Sequence, residues 1–156
     1  GVNRDQITVM GHSAGGHITQ MMMGTKWAEF SAGLPADLVT AGIPISPLSY
    51  LEPVRLTEAL NAGIGMTVAE AESQSPMVAH PPSTNASQLV AVGGNETEEF
   101  HRQAQMYVDT FSSDDRSMEI YVVPDADHFD ELNVLADLNS PFFSKTLDIV
   151  RSTNRF

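Results

Sequence analysis

A chain of 156 residues with a formal net charge of −12 is poorly suited to nucleic acid or to anionic lipid, whose phosphates are held by clustered Lys and Arg. Its 42% hydrophobic and 18% charged residues are ordinary for a folded globular chain; they argue against disorder, and the length fits one domain. The absence of cysteine excludes disulfides, thiolate metal sites and a cysteine nucleophile, and it fits a reducing, cytoplasmic setting.

The opening Gly1-Val2-Asn3-Arg4-Asp5 has no apolar run behind a basic start, so no signal peptide is expected. With no initiator Met, the chain is expected to begin inside a longer protein. Gln6–Met10 is a β-branched run stopped by Gly11 and reads as a strand. The segment behind it carries Ile18, Met21 and Met22 on one helical face. Residues 38–45 form a second apolar run, with Pro44 expected near its end because proline donates nothing to a ladder.

Residues 46–87 are irregular and rich in Ser-Pro and Pro-Pro steps. Short helices fit at about 56–61 and from Thr67, where Glu70 completes a capping-box pattern. A third strand, 88–92, ends at Gly93-Gly94. A helix at about 97–111 follows, with Phe100, Ala104, Tyr107, Val108 and Phe111 at helical spacing. Met118–Val123 is a fourth strand stopped by Pro124, and Ser140-Pro141 opens a closing helix to about Arg151. Strands alternating with helices predict an α/β fold, a mostly parallel sheet with flanking helices. No stretch approaches the roughly 18 apolar residues of a membrane span.

Gly11-His12-Ser13-Ala14-Gly15 is a G-x-S-x-G sequence between a strand and a helix, the context in which a sharp turn exposes a serine hydroxyl. Its flanking glycines let strand and helix approach closely. The turn aims the Ala14 backbone N–H at the place where an oxyanion would form. A serine hydroxyl needs a base, and His128 stands on the loop after the fourth strand. His12 and His17 adjoin the serine too closely to swing back, His80 lies in the irregular stretch and His101 on a helix; these four read as structural or exposed. No H-E-x-x-H pattern is present, so no metal and no cofactor are expected.

The imidazole in turn needs a carboxylate. Glu96, first after the Gly93-Gly94-Asn95 turn, is preferred. Asp125 and Asp127 are rivals beside His128, although neighbours on a tight loop seldom point at each other's rings. The chain order Ser13, Glu96, His128 is that of α/β-hydrolases.

On these residues the sequence resembles the esterase and arylformamidase (kynurenine formamidase) branch of the α/β-hydrolases. Residues 6–17 look like that branch's nucleophile elbow, and Ser46-Pro47-Leu48, Leu51-Glu52-Pro53, Ala71 and Ser75-Pro76 are similar to its next segment. Glu96-Thr97-Glu98-Glu99-Phe100-His101-Arg102-Gln103 resembles the family's Asp-Ser-Pro-Glu-Phe-x-Arg-Gln stretch, with Glu96 for the triad Asp and Glu98 for Pro. His128-Phe129-Asp130 resembles its catalytic-histidine loop. The resemblance implies that residues 1–156 are the C-terminal part of an α/β-hydrolase domain, without its N-terminal strands or the His-Gly-Gly segment that supplies a second oxyanion donor.

It further implies a Ser13–Glu96–His128 triad with the Ala14 N–H as oxyanion donor, acting on an aryl formamide such as N-formylkynurenine or on a short-chain ester. A truncated or degenerate chain with an interaction or scaffold role is the alternative. The first strand, lacking its family neighbour, is expected to expose an edge through which the chain self-associates or pairs with another polypeptide.

Overall fold

The computed structural model describes residues 5–152; residues 1–4, on which the signal-peptide expectation rests, lie outside them. Among the described residues, β1 (Ile7–His12), β2 (Val39–Ile45), β3 (Ser87–Gly93) and β4 (Met118–Val123) form one parallel sheet in the order β1-β2-β3-β4. Around it lie α1 (Ala14–Gly24), α2 (Trp27–Phe30), α3 (Glu52–Leu56), α4 (Glu58–Ile64), α5 (Val68–Ser73), α6 (Pro76–Ala79), α7 (Glu98–Phe111), α8 (Asp130–Ala136) and α9 (Pro141–Ser152).

β1 and β3 each run past their expected glycine stops. Gly11 and His12 still pair with Pro44 and Ile45, and Gly93 with Val123. Ladder bonds override a local breaker when a neighbouring strand is present to supply them. The helix expected at 56–61 is two helices: Pro53 fits the first turn of α3, Thr57 separates it from α4, and Gly65 closes α4 at a φ of 69°. The capping box of Thr67 and Glu70 is formed, and the Ser140 hydroxyl accepts from the Phe143 N–H at 3.0 Å ahead of α9. Short α2, α6 and α8 were not foreseen, being too brief to show a period.

Side chains alternate across the sheet. Ile43, Ile45, Leu89 and Ala91 face α8 and α9, where Phe142 fills the centre of a core with Val123 and Ala126. Gly42 and Val90 point the other way: Gly42 meets Met23 of α1, and Val90 packs with Ala104 and Tyr107 of α7. The helices between β2 and β3 bury a small cluster of their own, Leu51, Val54 and Ala71. All four strands are parallel, so the loops leaving β1, β2, β3 and β4 gather at one end, where such sheets carry their sites. No helix among the described residues is long and apolar enough to cross a membrane.

Candidate active site

The turn between β1 and α1 is held by two backbone bonds: the Ser13 N–H donates to the Ile45 carbonyl at 2.8 Å, and the His17 N–H donates to the Ser13 carbonyl at 3.0 Å. They fix Ser13 at φ 58° and ψ −116°, a conformation that costs a non-glycine residue of order 1–3 kcal/mol. The motif's glycines do not play equal parts. A side chain at Gly11 would collide with the Gly15 carbonyl, and one at Gly16 would come within 2.7 Å of the Ile45 oxygen, whereas Gly15 faces open space. Ala14 is exposed and begins α1, so its N–H has no acceptor within the helix.

His128 follows β4 and its Nε2 lies 3.0 Å from Ser13 Oγ. Its Nδ1 lies 2.5 Å from Glu96 Oε1. With Nδ1 protonated toward the carboxylate, Nε2 presents its lone pair to the serine hydroxyl. The Glu96 side chain is 1% exposed. Its other oxygen accepts the Gly93 N–H at 2.8 Å and the Ser46 hydroxyl. Ser46 is fully buried at the carboxyl end of β2, with a left-handed φ of 42°. In the sequence it stood out only within the Ser46-Pro47-Leu48 segment of the resemblance, with no role attached to it.

The His128 Nδ1 pairs with Glu96 rather than with either rival carboxylate. Asp127 Oδ1 accepts the Phe129 and Asp130 N–H groups at 2.8 and 2.9 Å, which cap α8 and hold its carboxyl below the usual range. Asp125 sits exposed at a φ of 58°, and its carbonyl accepts from Asn95 at 3.0 Å. His17 and His80 brace the helices between β2 and β3, their Nε2 atoms 2.8 Å from the carbonyls of Gln74 and Ser73 respectively.

His12 is not the partner of Ser13 Oγ and has a structural contact, as expected, but that contact falls on the His128 loop. Its Nε2–H donates to the His128 carbonyl at 2.7 Å, and its ring lies 4.5 Å from the His128 ring. Burial holds its imidazole below the ordinary range, opposed by that same hydrogen bond. Beneath it lies Glu131, wholly buried, with Oε1 3.1 Å from His12 Nε2. Glu131 lies in α8, which the sequence did not reveal, and nothing in its local spacing marks its position. His12, His128 and Glu131 bring potential metal-ligating atoms within 4.8 Å of one another, although both ring nitrogens of His128 are already engaged by Ser13 and Glu96. Phe100 covers the His128 ring at 4.9 Å and also lines an apolar pocket of about 310 Å³ with Leu48, Pro53, Val54 and Leu60. A wider opening of about 570 Å³ lies between Gln6, Thr40 and Ala86, at the amino ends of the strands and far from Ser13.

No protein-family model matches the chain. The chain is 30% identical over 132 residues to kynurenine formamidase of Salmo salar and 29% identical over 137 residues to that of Danio rerio, covering 81% and 83% of its own length. It spans 44% of the length of each of these relatives. Among solved structures, an esterase of Pyrobaculum calidifontis superposes with a TM-score of 0.65 at 18% identity, over 98% of this chain and 53% of that one. Acylaminoacyl peptidase of Pyrococcus horikoshii gives 0.64 at 16% identity, over 83% and 21%. These two likenesses speak for the fold: the four parallel strands with flanking helices are part of an α/β-hydrolase fold, and in sequence the chain is similar to the two kynurenine formamidases.

Proposed function

We propose that the chain carries the acid–base–nucleophile side of a serine hydrolase that cleaves an ester or amide through an acyl-enzyme. One observation supports this above the rest: the hydrogen-bonded line from Ser13 Oγ through both ring nitrogens of His128 to the buried carboxylate of Glu96. Ser13 Oγ attacks the carbonyl carbon while its proton passes to His128 Nε2. The carbonyl oxygen, now negative, accepts from the Ala14 N–H at the positive end of α1. Collapse breaks the bond to the leaving alcohol or amine, which takes the proton from Nε2. Water then gives a proton to Nε2 and attacks the acyl carbon, releasing the acid and restoring Ser13. Glu96 holds the imidazole in its reactive tautomer and stabilises the imidazolium. These steps need no cofactor.

For the substrate, the likeness to two kynurenine formamidases favours an aryl formamide of the N-formylkynurenine type, with a short-chain carboxylic ester as the next choice. The apolar pocket behind Phe100 suits an aromatic or alkyl group beside the reacting carbonyl. Assaying formate release from N-formylkynurenine beside hydrolysis of p-nitrophenyl acetate, for the wild type and Ser13→Ala, tests both parts. Turnover of the formamide abolished in the variant is expected; equal turnover in the two proteins would overturn the mechanism, and ester cleavage alone would overturn the substrate.

A further inference from the structure

We propose that Glu131 is a positioning residue of this site: a buried, uncharged carboxyl group that leaves the His12 Nε2–H free to hold the His128 loop and sets no second negative charge beside the Glu96–His128 pair. The inference rests on the Ser13 mechanism above and extends it to a residue outside the Ser13–His128–Glu96 line.

The geometry is unusual for a glutamate. Glu131 is 0% exposed, and neither of its carboxylate oxygens receives a hydrogen bond among the described residues. His12 Nε2 is close, at 3.1 Å, but spends its hydrogen on the His128 carbonyl at 2.7 Å. The Ser46 hydroxyl and the Gly93 N–H, which lie near enough to influence Glu131, both donate to Glu96 instead. An ionised carboxylate left without donors in such a place is costly, whereas a protonated one is tolerable.

The charged and titratable groups around it agree. Burial holds the His12 imidazole, at the end of β1, below its ordinary range, Glu96 follows β3, and Asp127 and His128 precede α8. Burial raises the Glu131 carboxyl to about 8, with Glu96 and Asp127 adding to the rise and Ser46 and Gly93 opposing it. Once ionised, Glu131 would compete for the His12 Nε2–H, loosening the contact that fixes the His128 backbone.

The sign of the stability effect follows. A carboxyl that titrates near 8 folded and near 4.5 unfolded makes the folded state bind more protons between those values, so stability falls as pH rises through them and then levels. Glu131→Gln keeps the shape and cannot ionise.

The test is to measure the rate of fluorophosphonate labelling by intact mass at pH 7 and pH 9, and Tm from pH 5 to pH 9, for the wild type and E131Q. In E131Q the pH 9 to pH 7 labelling ratio should exceed the wild-type ratio by about fivefold or more. The Tm gap in favour of E131Q should widen by several degrees up to about pH 8. Superimposable labelling ratios, a Tm gap that stays constant with pH, or an E131Q protein that does not fold would each overturn the proposal. If the wild type takes no adduct at any pH, the Ser13 mechanism fails and the positioning role with it, while the Tm gap still reports the buried proton separately.

Discussion

Ser46 shows how a residue whose role no motif states shapes the reactive centre. Its hydroxyl and the Gly93 N–H occupy one oxygen of Glu96, which leaves the other for His128. A hydrogen bond to a charged group contributes about 1.5–3 kcal/mol, so Ser46→Ala should slow labelling of Ser13 by roughly tenfold to a hundredfold. Glu96→Gln should cost more, on the order of 10⁴-fold, because an amide can hold the ring in the wrong tautomer; a labelling time course for each variant checks the order of the two losses. Ser13, His128 and Glu96 were legible because each stands in the loop directly after a readable strand. Ser46, His12 and Glu131 were not, since each acts through a contact made across distant loops that no local spacing records.

At the scale of elements, the close approach of α1 to β2 depends on Gly16, against which Ile45 and Pro47 press, and not on Gly15. Gly16→Ala should lower stability by about 1–3 kcal/mol through overpacking, while Gly15→Ala should be neutral or slightly stabilising through its better helix propensity. Thermal unfolding of the pair would separate them, and equal losses would contradict this account of the turn. The four strands were readable from their short apolar runs, although their ends were not, because ladder bonds carry β1 and β3 past Gly11 and into Gly93. The helices between β2 and β3 were only half readable. α3 and α4 are too short to display a period, and their limits are set by Pro53, Thr57 and Gly65 rather than by an apolar face. The Thr67–Glu70 capping box was explicit in the sequence and is formed; Thr67→Ala should cost about 1 kcal/mol.

For the whole molecule, β1 is the exposed side of the account. Among the described residues it pairs with β2 alone, and Met10, on the face that α8 and α9 cover elsewhere, is 51% exposed. An open parallel edge beside a half-exposed Met10 invites pairing, so the isolated chain is expected to self-associate. Sedimentation velocity should show species larger than 16.9 kDa that Met10→Lys shifts toward monomer; a wild-type monomer that unfolds cooperatively would contradict this. The parallel sheet was legible as a whole, yet the exposure of Met10 was not, because it depends on where the helices lie rather than on the sequence of β1. Ser13, His128 and Glu96 are proposed to work as one reactive unit, and intact mass after fluorophosphonate treatment tests this most directly. A single adduct on the wild type, absent from Ser13→Ala, is the predicted result. A soluble, folded wild-type chain that takes no adduct would contradict it, and would favour a scaffold or interaction role for this polypeptide.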